Sequence, residues 1–154
     1  MKILYICTHN RCRSILSEAL TNHYGQGLLI ARSAGSQPVG EVHPLTLFYL
    51  QAAAIATGEL SSQSWDDLAE FAPDVVVTVC DSAAAESCPV WFGQSQVIHW
   101  PLADPSKING SDEQVALAFG EAITHIKQRV EQLLVIARQA PEQWPDALAL
   151  LSHS

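Results

Sequence analysis

Residues 1–20 read MKILYICTHNRCRSILSEAL, and this stretch decides the fold. Lys2–Ile6 is a short, mostly aliphatic run, which predicts a buried strand. The polar run CTHNRCRS follows at 7–14, and apolar residues then recur at helical spacing over 14–24. The sequence therefore predicts a strand, a polar turn and a helix in direct succession.

The remainder of the chain repeats this alternation. Aliphatic runs predict further strands at 28–32, 74–79 and 96–100, and helical spacing predicts helices at 45–57, 65–71 and from 111 to about 140. Pro44 and Gly58 are typical of a helix start and stop, Ser111 with Gln114 forms a capping box, and Ser33-Ala34-Gly35 predicts a turn.

Strands that alternate with helices predict an α/β fold. We expect a single-domain, open, parallel four-stranded sheet with helices on both faces, formed by residues 1–140 and followed by an apolar C-terminal tail at 141–154. Such sheets bind ligands at the carboxyl ends of their strands. Cys7 and Cys80 follow the first and third predicted strands, so both are expected at that edge.

Composition narrows the function classes. The 154 residues are 48% hydrophobic and 16% charged, with a net charge of −8, which argues against nucleic acid or an acidic membrane surface as partner. No apolar run approaches the ~20 residues that span a bilayer, and we expect a cytoplasmic protein. The four cysteines lack zinc-ligand spacing, so in a reducing compartment they indicate thiol reactivity.

The polar run at 7–14 has the composition of an anion-binding loop. A thiol opens it, an arginine follows, and the amides at the start of a helix offer unpaired N–H groups with a partial positive charge. The same field favours a Cys7 thiolate, and Arg13 can bind two oxygens of a tetrahedral anion. The predicted oxyanion ligands are Thr8, His9, Asn10, Arg11, Cys12, Arg13 and Ser14. A small buried hydrophobic role is the favoured interpretation of Cys12.

This loop, the Ser33-Ala34-Gly35 turn, the Asp104-Pro105 pair and the strand–helix order resemble the low-molecular-weight protein tyrosine phosphatase superfamily. The resemblance implies that Cys7 is the nucleophile, Arg13 binds the oxyanion and Asp104 is the general acid. Asn10 matches an asparagine that orders the loop backbone. His9 departs from the pattern, since a glycine is common there.

Two features resemble the thioredoxin-coupled arsenate reductase branch of that superfamily. Asp104-Pro105 is followed by Ser106, Lys107 and Ile108 rather than by tyrosines that stack on an aromatic substrate. The segment VVTVCDSAAAESCP, residues 76–89, resembles a redox loop with two cysteines, although its seven residues between Cys80 and Cys88 are one more than expected.

The resemblance implies a disulfide relay. Cys7 attacks arsenate, Cys80 releases arsenite by forming a disulfide with Cys7, and Cys88 passes the disulfide to an external thiol reductant, thioredoxin or glutaredoxin. The alternative is a phosphatase for phosphotyrosine or small aryl phosphates, in which Cys80 and Cys88 give redox protection.

Some reductases of this branch also bind potassium beside the loop. The matching oxygen donors are Asn10, Glu18, Ser33, Ser64 and Asp66. Solvated surface positions are the competing interpretation for Glu18 and Asp66.

Overall fold

Four parallel strands form one sheet in the computed structural model, which describes residues 1–79 and 95–151. They are β1 (Lys2–Ile6), β2 (Ile30–Ala34), β3 (Val75–Thr78) and β4 (Gln96–His99), in the order β2-β1-β3-β4. The predicted open, parallel, four-stranded α/β architecture is confirmed.

The helices surround this sheet. They are α1 (Arg13–Tyr24), α2 (Pro44–Ala52), α3 (Asp112–Ala137) and α4 (Trp144–Leu151), with short 3₁₀ turns at Trp65–Phe71, Pro105–Lys107 and Pro141–Gln143. Every residue of β3 is buried, and β1 is buried from Ile3 onward. Because successive side chains of a strand point to opposite faces, both faces of the sheet are covered.

The second strand lies two residues later than its sequence predicts. Ile30 pairs with Lys2 and Ala34 with Ile6, so the register with β1 fixes the bounds of β2. The expected turn at Ser33-Ala34-Gly35 is therefore wrong, since Ser33 and Ala34 belong to β2. Arg32 is exposed because β2 lies at the edge of the sheet, where a strand tolerates a polar side chain.

The helix predicted at 45–57 ends much earlier, at Ala52. Ala54 takes a left-handed conformation with φ of 60°, and the Ile55 amide donates to the Leu50 carbonyl at 2.9 Å. This is the helix-ending motif that glycine usually provides, and it includes contact between the apolar residues at its two ends. Leu50 and Ile55 are both buried, so their packing ends the helix without a glycine.

Other boundaries agree more closely with the sequence. The capping box of Ser111 and Gln114 is confirmed at the start of α3, whereas Trp65–Phe71 is a 3₁₀ segment interrupted at Leu68. In the 141–154 tail, α4 buries Leu148 and Leu151. No helix in the described part of the chain combines the length and apolar character needed to cross a membrane.

Candidate active site

The predicted anion loop lies at the carboxyl end of β1. The Cys7 amide donates to the Ala34 carbonyl at 3.2 Å, which carries the sheet pairing one residue past Ile6. Cys12 is the N-cap of α1, and the Leu16 amide donates to its carbonyl at 2.8 Å. Strand and helix therefore fix the two ends of the loop.

The loop carbonyls face away from its centre. Three of them accept backbone hydrogen bonds from the chain that follows β2: Thr8 from Gln37 at 2.9 Å, His9 from Val39 at 3.2 Å and Arg11 from His43 at 2.9 Å. In a planar trans peptide the C=O and the next N–H point in opposite directions. The amides of His9, Asn10 and Cys12 therefore point inward, as a bound oxyanion requires.

Asn10 holds this shape from inside the protein. It is fully buried with a left-handed φ of 48°. Its Nδ2 donates to the Ser14 hydroxyl at 2.8 Å and to the Ser33 hydroxyl at 3.0 Å, and its Oδ1 accepts from the Gln63 amide at 2.8 Å. Because Ser14 accepts from Asn10, its hydroxyl hydrogen is available to be donated, as its predicted role as an oxyanion ligand needs.

Arg13 connects the loop to the predicted acid. Its Nη1 donates to the Leu102 carbonyl at 3.2 Å, and its Nη2 lies 3.7 Å from Asp104 Oδ2. Its Nε is buried and has no hydrogen-bond partner among the described residues. A buried, unpaired N–H is costly, so a ligand oxygen would satisfy it.

Asp104 is oriented by the residue two positions later. The Ser106 amide and hydroxyl both donate to Asp104 Oδ1, at 2.9 and 2.6 Å. These contacts leave Oδ2 as the oxygen that faces Arg13. The predicted acid and the predicted oxyanion ligand are thus brought together.

A cavity of about 200 Å³ lies between these groups. Its lining residues are Cys7, His9, Asn10, Arg11, Cys12, Arg13, Asp104, Ser106 and Lys107. Three of them are cationic, although the whole chain has a net charge of −8. No Phe, Tyr or Trp is present in the described lining, so this part of the site suits a small anion better than an aromatic substrate.

Cys12, the second thiol of the loop, lacks the low pKa of a reactive thiol. Cys12 is buried, and this desolvation raises its pKa to about 11. At neutral pH it is therefore a protonated thiol, which is a poor nucleophile. The expectation that Cys12 is a small buried residue is confirmed.

His43 contacts the loop through its amide, which donates to the Arg11 carbonyl. Its Nδ1 accepts from the Leu45 amide at 3.1 Å, which caps α2. Burial, followed by the nearby Arg11 charge, lowers the pKa of His43. The neutral ring is thereby favoured and can keep accepting that hydrogen bond.

Three of the five predicted potassium ligands meet beneath the loop. Ser33 accepts from Asn10 and donates to Glu18 Oε1 at 2.6 Å. Glu18 is only 5% exposed, so its solvated alternative is wrong, and burial raises its pKa. Ser64 bridges to Gly35 and accepts from the exposed Asp66 amide at 3.2 Å.

The two relay cysteines, Cys80 and Cys88, lie outside the described residues. The described chain that leads to Cys80 ends beside the anion loop. The Val79 amide donates to the Ile6 carbonyl at 3.0 Å, beside the start of the loop.

Sequence reasoning missed Arg129 of α3. It donates to the carbonyls of Trp100 and Pro101, at 2.9 and 2.6 Å, just ahead of Asp104. A signal was available, because this arginine lies between Ile126, Val130 and Leu133 at helical spacing. A charged residue within an apolar stripe indicates a specific buried partner.

Comparisons with known proteins agree with this architecture. Residues 2–143 match the family described as low molecular weight phosphotyrosine protein phosphatase. The arsenate reductase of Shouchella clausii is 32% identical over 85% of this chain and 94% of its own. The protein-arginine-phosphatase of Bacillus subtilis is 30% identical over 93% of this chain and 96% of its own.

A solved arsenate reductase structure has the same fold. The thioredoxin-dependent arsenate reductase of Corynebacterium glutamicum superposes with a TM-score of 0.67 at 28% identity, covering 89% of this chain and 61% of the other. The chain belongs to the low molecular weight phosphotyrosine protein phosphatase family, within its arsenate reductase branch.

Proposed function

We propose that this protein is an arsenate reductase that converts As(V) to As(III) at the cavity lined by Cys7, Arg13 and Asp104. The observation that carries the proposal is the small cavity lined by Cys7 and three cationic side chains, together with the buried Arg13 Nε that has no hydrogen-bond partner among the described residues. Arsenate is a compact tetrahedral anion, and its negative charge is complementary to the cationic lining of this cavity. The reductases of Shouchella clausii and Corynebacterium glutamicum support the same reaction.

The first step forms a sulfur–arsenic bond. The Cys7 thiolate attacks arsenic, and the arsenic–oxygen bond to the leaving oxygen breaks. Asp104 donates the proton with which that oxygen departs as water. The inward amides of the loop and Arg13 bind the remaining oxygens and stabilise their charge. Arsenic stays As(V) in this adduct.

The second step transfers two electrons. The Cys80 thiolate attacks the sulfur of Cys7, and the electron pair of the sulfur–arsenic bond goes to arsenic, which leaves as arsenite. A Cys7–Cys80 disulfide forms in the same step. Support for Cys80 comes from its place in the sequence directly after Val79, whose amide is bonded to the end of β1.

The third step regenerates the nucleophile. Cys88 attacks Cys80, which returns Cys7 as a thiolate and leaves a Cys80–Cys88 disulfide. An external dithiol protein of the thioredoxin or glutaredoxin type then reduces this disulfide and supplies the two electrons. The Corynebacterium glutamicum neighbour is thioredoxin-dependent, which supports this class of reductant. We propose a cytoplasmic site of action, because thioredoxin and glutathione keep thiols reduced in that compartment.

Potassium is a further proposal for the network beneath the loop. Glu18 gives a buried carboxylate next to Ser33, and an added cation would offset the desolvation that raises its pKa. A higher denaturation midpoint in potassium chloride than in sodium chloride of equal ionic strength is expected for the native chain and not for Glu18→Gln. Equal midpoints in both salts would exclude the ion.

A phosphatase is the second candidate function. The relative in Bacillus subtilis is a protein-arginine-phosphatase by name. A nucleophilic thiolate, an anion-binding arginine and an acid, as in Cys7, Arg13 and Asp104, are equally suited to phosphoryl transfer. The absence of Phe, Tyr and Trp from the described lining argues against phosphotyrosine. Water alone completes that reaction, so Cys80 and Cys88 would have no catalytic role.

One paired assay separates the two. Arsenate-dependent NADPH oxidation, coupled through thioredoxin and its reductase, is measured beside hydrolysis of an aryl phosphate. Cys80→Ser and Cys88→Ser should each abolish reductase turnover while any phosphatase activity survives. Cys7→Ser should remove both activities, because both begin with the same nucleophile.

The results that would contradict the proposal are equally specific. A Cys88→Ser variant that turns over at the native rate would remove Cys88 from the relay. A phosphoester rate that greatly exceeds arsenate reduction would favour the phosphatase.

A further inference from the structure

Arg129 is a buried cation with an unusual set of partners. Its side chain is 8% exposed. Within the described residues, the only carboxylate–cation pair closer than 4.0 Å is that of Arg13 and Asp104, so Arg129 has no acidic partner there. Burying an unpaired charge costs several kcal/mol in general. The contacts that offset this cost must therefore be strong.

Within the described residues, the hydrogen bonds and the ring contact of Arg129 all come from one short segment. Nη1 donates to the Trp100 carbonyl at 2.9 Å, and Nη2 donates to the Pro101 carbonyl at 2.6 Å. The guanidinium carbon lies 4.7 Å from the centre of the Trp100 ring. The forked donor geometry of arginine matches two adjacent carbonyls, which a lysine ammonium cannot bind with the same rigidity.

The next carbonyl of the segment is held by the loop arginine. Leu102 accepts from Arg13 Nη1 at 3.2 Å, so three successive carbonyls receive arginine donors. On the opposite side, the amides of Trp100 and Leu102 donate to the end of the third strand, to Thr78 at 2.9 Å and Val79 at 3.0 Å. The segment is clamped from both sides two residues before Asp104.

We propose that Arg129 is a positioning residue that holds the segment 100–104 so that Asp104 reaches the leaving oxygen in the cavity. This inference rests on the proposed function, since it assigns Arg129 to the acid of that reaction. Displacement of a catalytic group by about 1 Å is enough to lower a rate by about 100-fold.

The test compares three arginine variants. Arg129→Met keeps a long apolar stem and removes the charge and both donors. Arg129→Lys keeps the charge and loses the fork. Arg138→Met is the control, because Arg138 is exposed at the end of α3.

Each variant is made in the native chain and in Asp104→Asn. Arg129→Met should lower kcat/KM for arsenate by about 30- to 100-fold in the native chain, consistent with a misplaced acid. It should cause no further loss in Asp104→Asn, because the group it positions is already gone. Arg129→Lys should lose about 10-fold with the same pattern, and Arg138→Met should change neither background.

A purely structural role predicts a different pattern. It would lower activity by the same factor with and without the Asp104 carboxylate, and that result would overturn the proposal. If Arg129→Met does not fold, Arg129→Lys carries the same comparison.

Amide hydrogen exchange keeps the inference testable if the chain reduces no arsenate. The Trp100 and Leu102 amides should exchange faster in Arg129→Met and, to a smaller degree, in Arg129→Lys, while exchange in α1 stays unchanged. Uniformly faster exchange across the chain would contradict the proposal, and unchanged exchange at these two amides would contradict it as well.

Discussion

The two walls of the cavity are built by different means. The wall at 7–14 lies between the adjacent elements β1 and α1, and it is held by backbone hydrogen bonds and by the buried side chain of Asn10. The wall at 100–107 is held by side chains from far along the chain, Arg13 and Arg129. Both walls contain buried residues, and the second differs in being held by two arginine side chains, one from α1 and one from α3. Binding of the anion should depend on the first wall, and the rate of proton transfer on the second.

Gly35→Ala should cause the largest effect, because the added methyl group would clash with the backbone of the loop at 7–14. A Cβ at Gly35 would clash with the Thr8 carbonyl oxygen and would lie 2.8 Å from that of Cys7. Both contacts are with backbone, so the loop itself must move. We expect loss of phosphate binding in calorimetry and a loss of about 3 kcal/mol in the free energy of unfolding.

Gly120→Ala is the matched control, since a Cβ at that helical position meets nothing within 4 Å. It should bind phosphate normally and gain up to about 1 kcal/mol of stability from helix propensity. Native phosphate affinity in Gly35→Ala would show that the loop does not need this close approach.

Asp104→Asn should separate rate from binding. It removes the proton donor while Ser106 can still hold the Oδ1 position. We expect the single-turnover rate with arsenate to fall by about 100-fold, a typical contribution of general acid catalysis. Phosphate affinity should be kept or rise slightly, because a negative charge 3.7 Å from Arg13 is removed. A loss of phosphate affinity as large as the loss of rate would place Asp104 in anion binding instead.

Glu18→Gln should give the smallest effect, and one that depends on pH. Burial raises the pKa of Glu18 in the folded protein, so the folded state retains a proton that the unfolded state has lost. Glu18 therefore lowers stability progressively as pH rises from its unfolded pKa through its folded pKa, and the loss remains above that range.

Urea unfolding at pH 4 and pH 8, in buffer without potassium, measures this difference. The stability of Glu18→Gln relative to the native chain should rise between the two values, while the exposed control Glu131→Gln should show no such rise. If the native chain instead became more stable relative to Glu18→Gln as the pH rises, folding would have to lower the pKa of Glu18, and that result would contradict the account.

The sequence predicts what is encoded locally. The strand, loop and helix at 1–24 follow from adjacent residues, and the loop ligands lie within eight positions. The bounds of β2 were missed because its register with β1 fixes them, and the end of α2 was missed because Ala54 takes a glycine conformation. Asp104 was predicted through a family resemblance alone, since its position depends on distant arginines.

The most direct test of the disulfide relay is peptide mass spectrometry after one turnover with arsenate and no reductant. The native chain should carry a Cys80–Cys88 disulfide, and Cys88→Ser should carry a Cys7–Cys80 disulfide after releasing one arsenite. Release of arsenite from Cys88→Ser with both Cys7 and Cys80 still reduced would contradict the relay.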